Sequence, residues 1–352
     1  MERRRRTSIA ACLGLLLSAC GGLSPGTSDP TPSASPTSPS SSAAPSTAAL
    51  PAGADLAITV PGVDHYGPLF GQGAVWARGI ETGKLSRIDP NSGEVITGAT
   101  DRGCCLAVGE GAVWAPAPEA GTLERIAPDT AQVTDTFELG GFTVRAATGD
   151  GKVWVNSHRG GSLFAVDPST GASTEVVVGP EGPGGPQQVY FAGGHVWTGI
   201  PNLGWTLARV DPGTGDVVAT VQLPGAGCHT SAATDEYLWL AGGCWDSSQA
   251  YDTVWKVDLA TNEVASEFQP GGTFSQWSQI AYADGAIWMV TTSGLLRIDG
   301  ETDEATIVAD DVLAPGSVTS DGERLWVMTG STSRGDDGKF GRVLLRIPIP
   351  RT

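Results

Sequence analysis

The chain has 352 residues, with 49 Gly, 24 Pro and a formal net charge of −17 from 21 Lys+Arg against 38 Asp+Glu. That balance argues against nucleic acid as a partner, because phosphates must be neutralised by Lys and Arg. It argues equally against a purely electrostatic hold on anionic lipid.

Residues 3–6 are four consecutive Arg, residues 8–17 are mostly small or apolar, and Leu17-Ser18-Ala19-Cys20 precedes Gly21. The apolar run is too short to span a bilayer. Basic, apolar and small-residue regions in that order make an export signal. The route stays open, since the apolar residue expected after a twin-arginine pair is missing. The segment Leu17-Ser18-Ala19-Cys20 resembles the lipobox of bacterial lipoproteins, and the chain has the look of an actinobacterial one. The resemblance implies removal of residues 1–19 and a diacylglycerol on the Cys20 thiol; an ordinary secretory signal is the alternative. Loss of those residues, four Arg and one Glu among them, takes the net charge to −20. Residues 20–50 are mostly Ser, Thr, Pro, Ala and Gly and predict a disordered, extended tether. The expected organisation is signal (1–19), lipid-anchored tether (20–50) and folded domain (51–352). The expected location is the extracytoplasmic face of the cell membrane.

The folded part repeats. GQGAVWARG is followed by LSRIDPNSGEV, GDGKVWVNS by LFAVDPSTGAS, and AGGHVWTGI by LARVDPGTGDV. Trp76, Trp114, Trp154, Trp197, Trp239, Trp288 and Trp326 are separated by 38, 40, 43, 42, 49 and 38 residues. That is the spacing of four-stranded propeller blades. Each unit reads as inner strand, Gly/Asp turn, Trp-bearing strand, RIDP-like strand, turn and β-branched outer strand. The seventh unit lacks its fourth strand. Residues 54–60, ADLAITV, should supply it and close the ring, leaving no open edge. The expected fold is therefore an all-β seven-bladed propeller, with the repeated Trp packing between blades.

Over about residues 54–348 these units resemble the YVTN, NHL and virginiamycin B lyase-like group of propellers. Its lyase branch implies a metal-assisted site, with His ahead of the inner strand and Glu after the repeated Trp. Ten residues before each Trp stand Tyr66, Cys104, Val144, Gln187, His229 and Ser278, with Pro315 or Gly316 last. His229 alone matches. Three residues after each Trp stand Gly79, Ala117, Ser157, Ile200, Gly242, Thr291 and Thr329, none of them Glu. A vicinal Cys104–Cys105 pair is similar to one found in quinoprotein propellers, but no calcium-binding carboxylate set accompanies it. No metal and no cofactor are expected. RGDDGKFG near residue 334 reads as a solvated hairpin loop.

The off-pattern aromatics Trp205, Trp245 and Trp277 fall on loops of one face, over blades 4–6, whereas Trp255 reads as packing. Gln187, Gln188, His229, Gln276 and Gln279 converge there, and Arg145, Asn156 and His158 of blade 3 extend the arc. Aromatic faces beside amides and an Arg suit a sugar, peptide or small molecule. The expected ligand-binding set is Arg145, Gln187, Trp205, His229, Trp245, Trp277 and Gln279. Export permits disulfides. Cys228 and Cys244 are nearly equidistant from the turn at Asp235-Glu236 and can bridge adjacent strands; Cys104–Cys105 is the remaining pair, with free thiols the competing view. The leading expectation is a monomeric, non-catalytic lipoprotein, held at the membrane through Cys20, that recognises an envelope glycan, peptide or protein partner. The alternative is a metal-assisted lyase or hydrolase using His229.

Overall fold

The structure, a computed structural model, describes residues 50–60, 67–80, 82–103, 105–182, 185–200, 203, 206–223, 229–242, 251–274, 278–312, 316–334 and 340–349. They form seven four-stranded antiparallel sheets. Six are consecutive meanders. The seventh pairs Leu56–Val60 with Phe340–Pro348, then Arg324–Arg334 and Gly316–Ser320. Leu56 stands opposite Arg346 and Val60 opposite Arg342. The N-terminal strand thus closes the ring as expected, starting at residue 56.

The core is a ring of packing layers. Trp76 of blade 1 packs with Val113 and Ile126 of blade 2. Trp154 of blade 3 packs with Val196 and Val210 of blade 4. Trp288 of blade 6 packs with Val318 and Val327 of blade 7, and Trp326 of blade 7 meets Val75 and Ile88 of blade 1. Each repeated Trp is at most 1% exposed, so each blade is locked to the next by its largest side chain. Trp255 is buried with Trp197 between blades 4 and 5, as packing requires.

Two turn types recur, and both follow from sequence. The turn from inner to second strand has two left-handed residues: Gln72-Gly73, Glu110-Gly111, Asp150-Gly151, Gly193-Gly194 and Asp284-Gly285. This type I′ geometry favours Gly at its second position and matches the twist of the strands. It leaves the preceding carbonyl facing the indole five residues on. Trp76 Nε1 donates to Gly71 O at 3.1 Å, Trp114 to Gly109 O at 3.0 Å, and Trp288 to Ala283 O at 3.1 Å.

The second turn is the RIDP element after the third strand. Asp89 Oδ1 accepts the backbone N–H of Asn91 and Ser92 at 2.9 and 2.8 Å, and Asp167, Asp211, Asp258 and Asp299 repeat this. Blade 2 has Ala127 in that place and turns with Ala131 in the left-handed region. Hydrogen bonds to the ionised carboxylates hold all five below the usual range; Asp167 is lowered to about 2, first by the Ser169 hydroxyl. A carboxylate whose folded pKa is depressed stabilises above its unfolded pKa and loses that contribution as pH falls through the folded value. Acid unfolding is therefore expected to steepen between about pH 4 and pH 2. Asp167→Asn should flatten part of that decline in denaturation curves measured across this window. An unchanged curve would refute the assignment.

Candidate functional site

The inner strands surround an axial channel. One mouth lies on the face that carries the loops into the inner strands and the loops from second to third strands. A cavity of about 150 Å³ there is lined by side chains from all seven blades, among them Leu69, Leu106, Arg145, Tyr190, Ser231 and Gln279. Arg145 is the one charged residue among the described residues of this lining.

Arg145 owes its place to a break in regular pairing. In blade 3 Thr143 pairs with Ser157 and Ala146 with Val155, so two residues, Val144 and Arg145, oppose Asn156. This is a β-bulge, which leaves extra backbone groups to satisfy and turns the side chain out of the regular alternation. Asn156, fully buried, holds it. Its Oδ1 accepts the N–H groups of Val144 at 3.2 Å and Arg145 at 2.7 Å, while Nδ2 donates to Pro186 O of blade 4 at 2.8 Å. One side chain fixes the bulge and ties blade 3 to blade 4.

Beside it, Gln187 is 8% exposed and lies outside the cavity lining. Its Nε2 lies 3.3 Å from His158 Nε2, within hydrogen-bond distance. Burial, then Arg159 and Arg145, push the His158 pKa below its ordinary value, so His158 is neutral at pH 7. Gln188 is buried with neither side-chain polar atom partnered.

The structure therefore brings Arg145 and Gln279 together in the channel mouth and sets Gln187 into the wall behind it. His229 begins the inner strand of blade 5, its backbone opposite Gly242; its side chain lies outside the description. Trp205, Trp245, Trp277, Gln276, Cys20, Cys104, Cys228 and Cys244 lie outside the described residues. Cys105 is buried at the mouth and disulfide-bonded.

Tyr190, Thr230 and Ser231 were not anticipated. The channel residues stand seven to nine positions ahead of each repeated Trp; of the expected set, Arg145 and Gln279 stand nine ahead, whereas Gln187 and His229 stand ten ahead. The inner strands are short, and the chain enters them from between the blades. A residue ten positions back is still in the wall; two steps on, it reaches the axis. Buried charge was missed as well. Arg78, 1% exposed, donates from Nε to Thr100 Oγ1 at 2.9 Å and from Nη1 to Pro116 O at 3.1 Å. Desolvation lowers its pKa to about 10, so it stays cationic and pins blade 1 to blade 2.

The donor set for a metal-assisted lyase does not fit. The seven positions after the repeated Trp carry no carboxylate, and no cluster of three His, Cys, Asp or Glu able to hold a metal occurs among the described residues.

No family model matches the chain, and no curated protein matches it. Solved structures do. A streptogramin B lyase structure is 18% identical, covering 82% of this chain and 95% of that one, with a TM-score of 0.60. Kuenenia stuttgartiensis hydrazine synthase is 10% identical over 77% of this chain and 94% of its own, TM-score 0.62. The Neurospora crassa Pan2 WD40 domain is 11% identical over 84% and 95%, TM-score 0.62. At these identities the likeness is one of fold: the chain is a seven-bladed β-propeller with structural neighbours of several kinds, a lyase included.

Proposed function

We propose that this protein is a cell-surface lipoprotein, anchored through Cys20, whose propeller binds an envelope ligand or protein partner without catalysis. The site is the channel mouth and the loops above it on blades 4–6, extending to Arg145 of blade 3. The observation that carries the reading is Arg145: a chain of net charge −17 places a guanidinium, on a bulge held by a buried Asn, in a mouth with no carboxylate among its described residues. Around it stand the hydroxyls of Tyr190, Thr230 and Ser231 and the amide of Gln279. Such a set recognises an anionic end group, which Arg can take bidentately. Trp205, Trp245 and Trp277, expected on loops of the same face, would supply aromatic contact, and a Cys228–Cys244 pair would brace the blade 5 loop.

The test is a thermal-shift screen of the full chain with inorganic phosphate, succinate, a carboxylate-terminated tripeptide and a uronic-acid disaccharide. A ligand specific for the folded state at a hundredfold excess over its Kd adds about 2.7 kcal/mol. The expected result is a metal-independent rise in Tm that Arg145→Ala abolishes. A rise that survives Arg145→Ala, or none at all, overturns the reading. The likeness to a streptogramin B lyase structure favours a second one, a metal-assisted lyase or hydrolase using His229. It predicts a Mg²⁺- or Mn²⁺-dependent shift that His229→Ala removes.

A further inference from the structure

Blade 5 breaks the turn rule. Its inner and second strands are joined by Thr234-Asp235-Glu236-Tyr237, where the other turns of this length have Gly in the third place. Neither Asp235 nor Glu236 is left-handed. Thr234 closes the turn differently: its N–H donates to Tyr237 O at 2.9 Å, and its Oγ1 accepts from Glu236 N and Tyr237 N at 3.2 and 3.1 Å. The Thr234 carbonyl does not receive the indole. Trp239 Nε1 has no hydrogen-bond partner, although the residue is 1% exposed. Blade 7 also departs from the rule but compensates, with Trp326 Nε1 donating to Asp321 Oδ2 at 3.0 Å.

Trp239 also lines a cavity. Between blades 5 and 6, on the face opposite the channel mouth described above, a cleft of about 570 Å³ is lined by Tyr237, Trp239 and Tyr282 together with Asp235, Glu236 and Glu301. In the regular blades the indole N–H points at the first residue of the turn; here that residue, Thr234, is itself part of the cleft wall. Tyr282 stacks on Trp239 with ring centroids 5.5 Å apart and interplanar angle 19°, and it is 38% exposed. Lys256 Nζ lies 5.6 Å from the Trp239 ring centroid and donates to Gly300 O at 2.6 Å. Arg297, paired with Asp299 at 3.5 Å, adds one more donor to the wall.

We propose that this cleft is a second ligand site, for a saccharide. The wall offers an unpaired indole donor, exposed carboxylates able to accept from hydroxyl groups, and an aromatic face. A bare ammonium group cannot accept from the indole, and an anion is repelled by the carboxylates of the wall. Sugar hydroxyls do both, and the C–H face of a pyranose covers a ring of the Tyr282 kind. The cleft volume lies within the range of small-molecule sites.

The experiment titrates the full chain separately with chitotetraose, mannotetraose and cellotetraose, read by Trp fluorescence and calorimetry. One of them is expected to bind with Kd below about 1 mM. Tyr282→Ala should weaken that binding by about tenfold or more. Glu236→Gly creates the Asp-Gly turn of blade 6, returns the Thr234 carbonyl to the indole, and should weaken binding while raising Tm. This second variant keeps the test sound if Tyr282→Ala fails to fold. Three results overturn the proposal: no binding of any of the three up to about 10 mM, binding unaffected by Tyr282→Ala and Glu236→Gly, or binding lost in Arg145→Ala, which would place the sugar in the channel. The first two results leave the Arg145 reading untouched, whereas the third would make the channel mouth the sugar site.

Discussion

Deletion of residues 50–60 is expected to cost this protein its cooperative folded state. The segment forms the outer strand of the last blade, in register with residues 342–346 across five residue pairs. Val60 is fully buried, and Leu56 and Ile58 pack on the cluster that holds Trp326, Val75 and Ile88. Burial of such side chains contributes about 1.5–3 kcal/mol each when complete. Asp55 leaves with the strand, breaking its 2.7 Å pair with Arg346. That Arg also reaches Pro90 O and Asn91 O in blade 1. Set against a whole-domain stability of about 5–15 kcal/mol, the loss is a large part of the total. It also opens the sheet edge along residues 342–346, which invites association with other chains. Thermal and guanidinium unfolding of the deleted chain should show a broadened transition at much lower midpoint, with aggregation. A midpoint within about 2 °C of the parent would mean that the ring does not need its closure.

Closure was readable because it is a matter of counting. Seven Trp at nearly equal spacing need seven blades, and a last unit of three strands needs a fourth from elsewhere. Repetition averages out the weakness of each single strand signal, so the alternation around Trp76 is confirmed six more times. The site is not repetitive, and there sequence did less well. Arg145 and Gln279 were found by direct reading of polar residues near the inner strands. Gln187 was placed with them, although its distance from Trp197 leaves it between the blades. Tyr190 and Ser231 carry no sequence signal of their own, since an aromatic or a hydroxyl in an inner strand reads as ordinary strand composition. The blade 5–6 cleft had one visible signal, Asp-Glu in place of a Gly-bearing turn. Its consequence, an indole without an acceptor, follows from backbone handedness and emerges only when the turns are compared in three dimensions.

Asn156→Ala should be the most damaging single substitution at the channel mouth. Asn156 accepts from two successive backbone N–H groups and donates to a carbonyl of the next blade, and it is fully buried. Alanine leaves three polar backbone groups without that partner. A buried group left unsatisfied costs about 1–3 kcal/mol, and with partial relief from entering water the sum is about 3–6 kcal/mol. At roughly 2 °C or more per kcal/mol for a domain of this size, Tm should fall by roughly 6–12 °C. With the Asn156 acceptor gone, the pairing of Thr143–Ala146 with Val155–Ser157 should relax toward regular register. Arg145 then turns with the strand, and the ligand response of the mouth should be lost at temperatures where the variant is still folded. Asn156→Asp separates the two roles. It keeps an acceptor for both N–H groups and replaces the amide donor to Pro186 O with a carboxyl oxygen, at the added cost of burying a carboxyl group. Its stability should fall less than that of the Ala variant if the bulge is the main debt, and as far or further if the tie between blades 3 and 4 dominates. An Ala variant with unchanged Tm and unchanged ligand response would show that the bulge is held by the blades alone, and that Arg145 owes its position to packing rather than to Asn156.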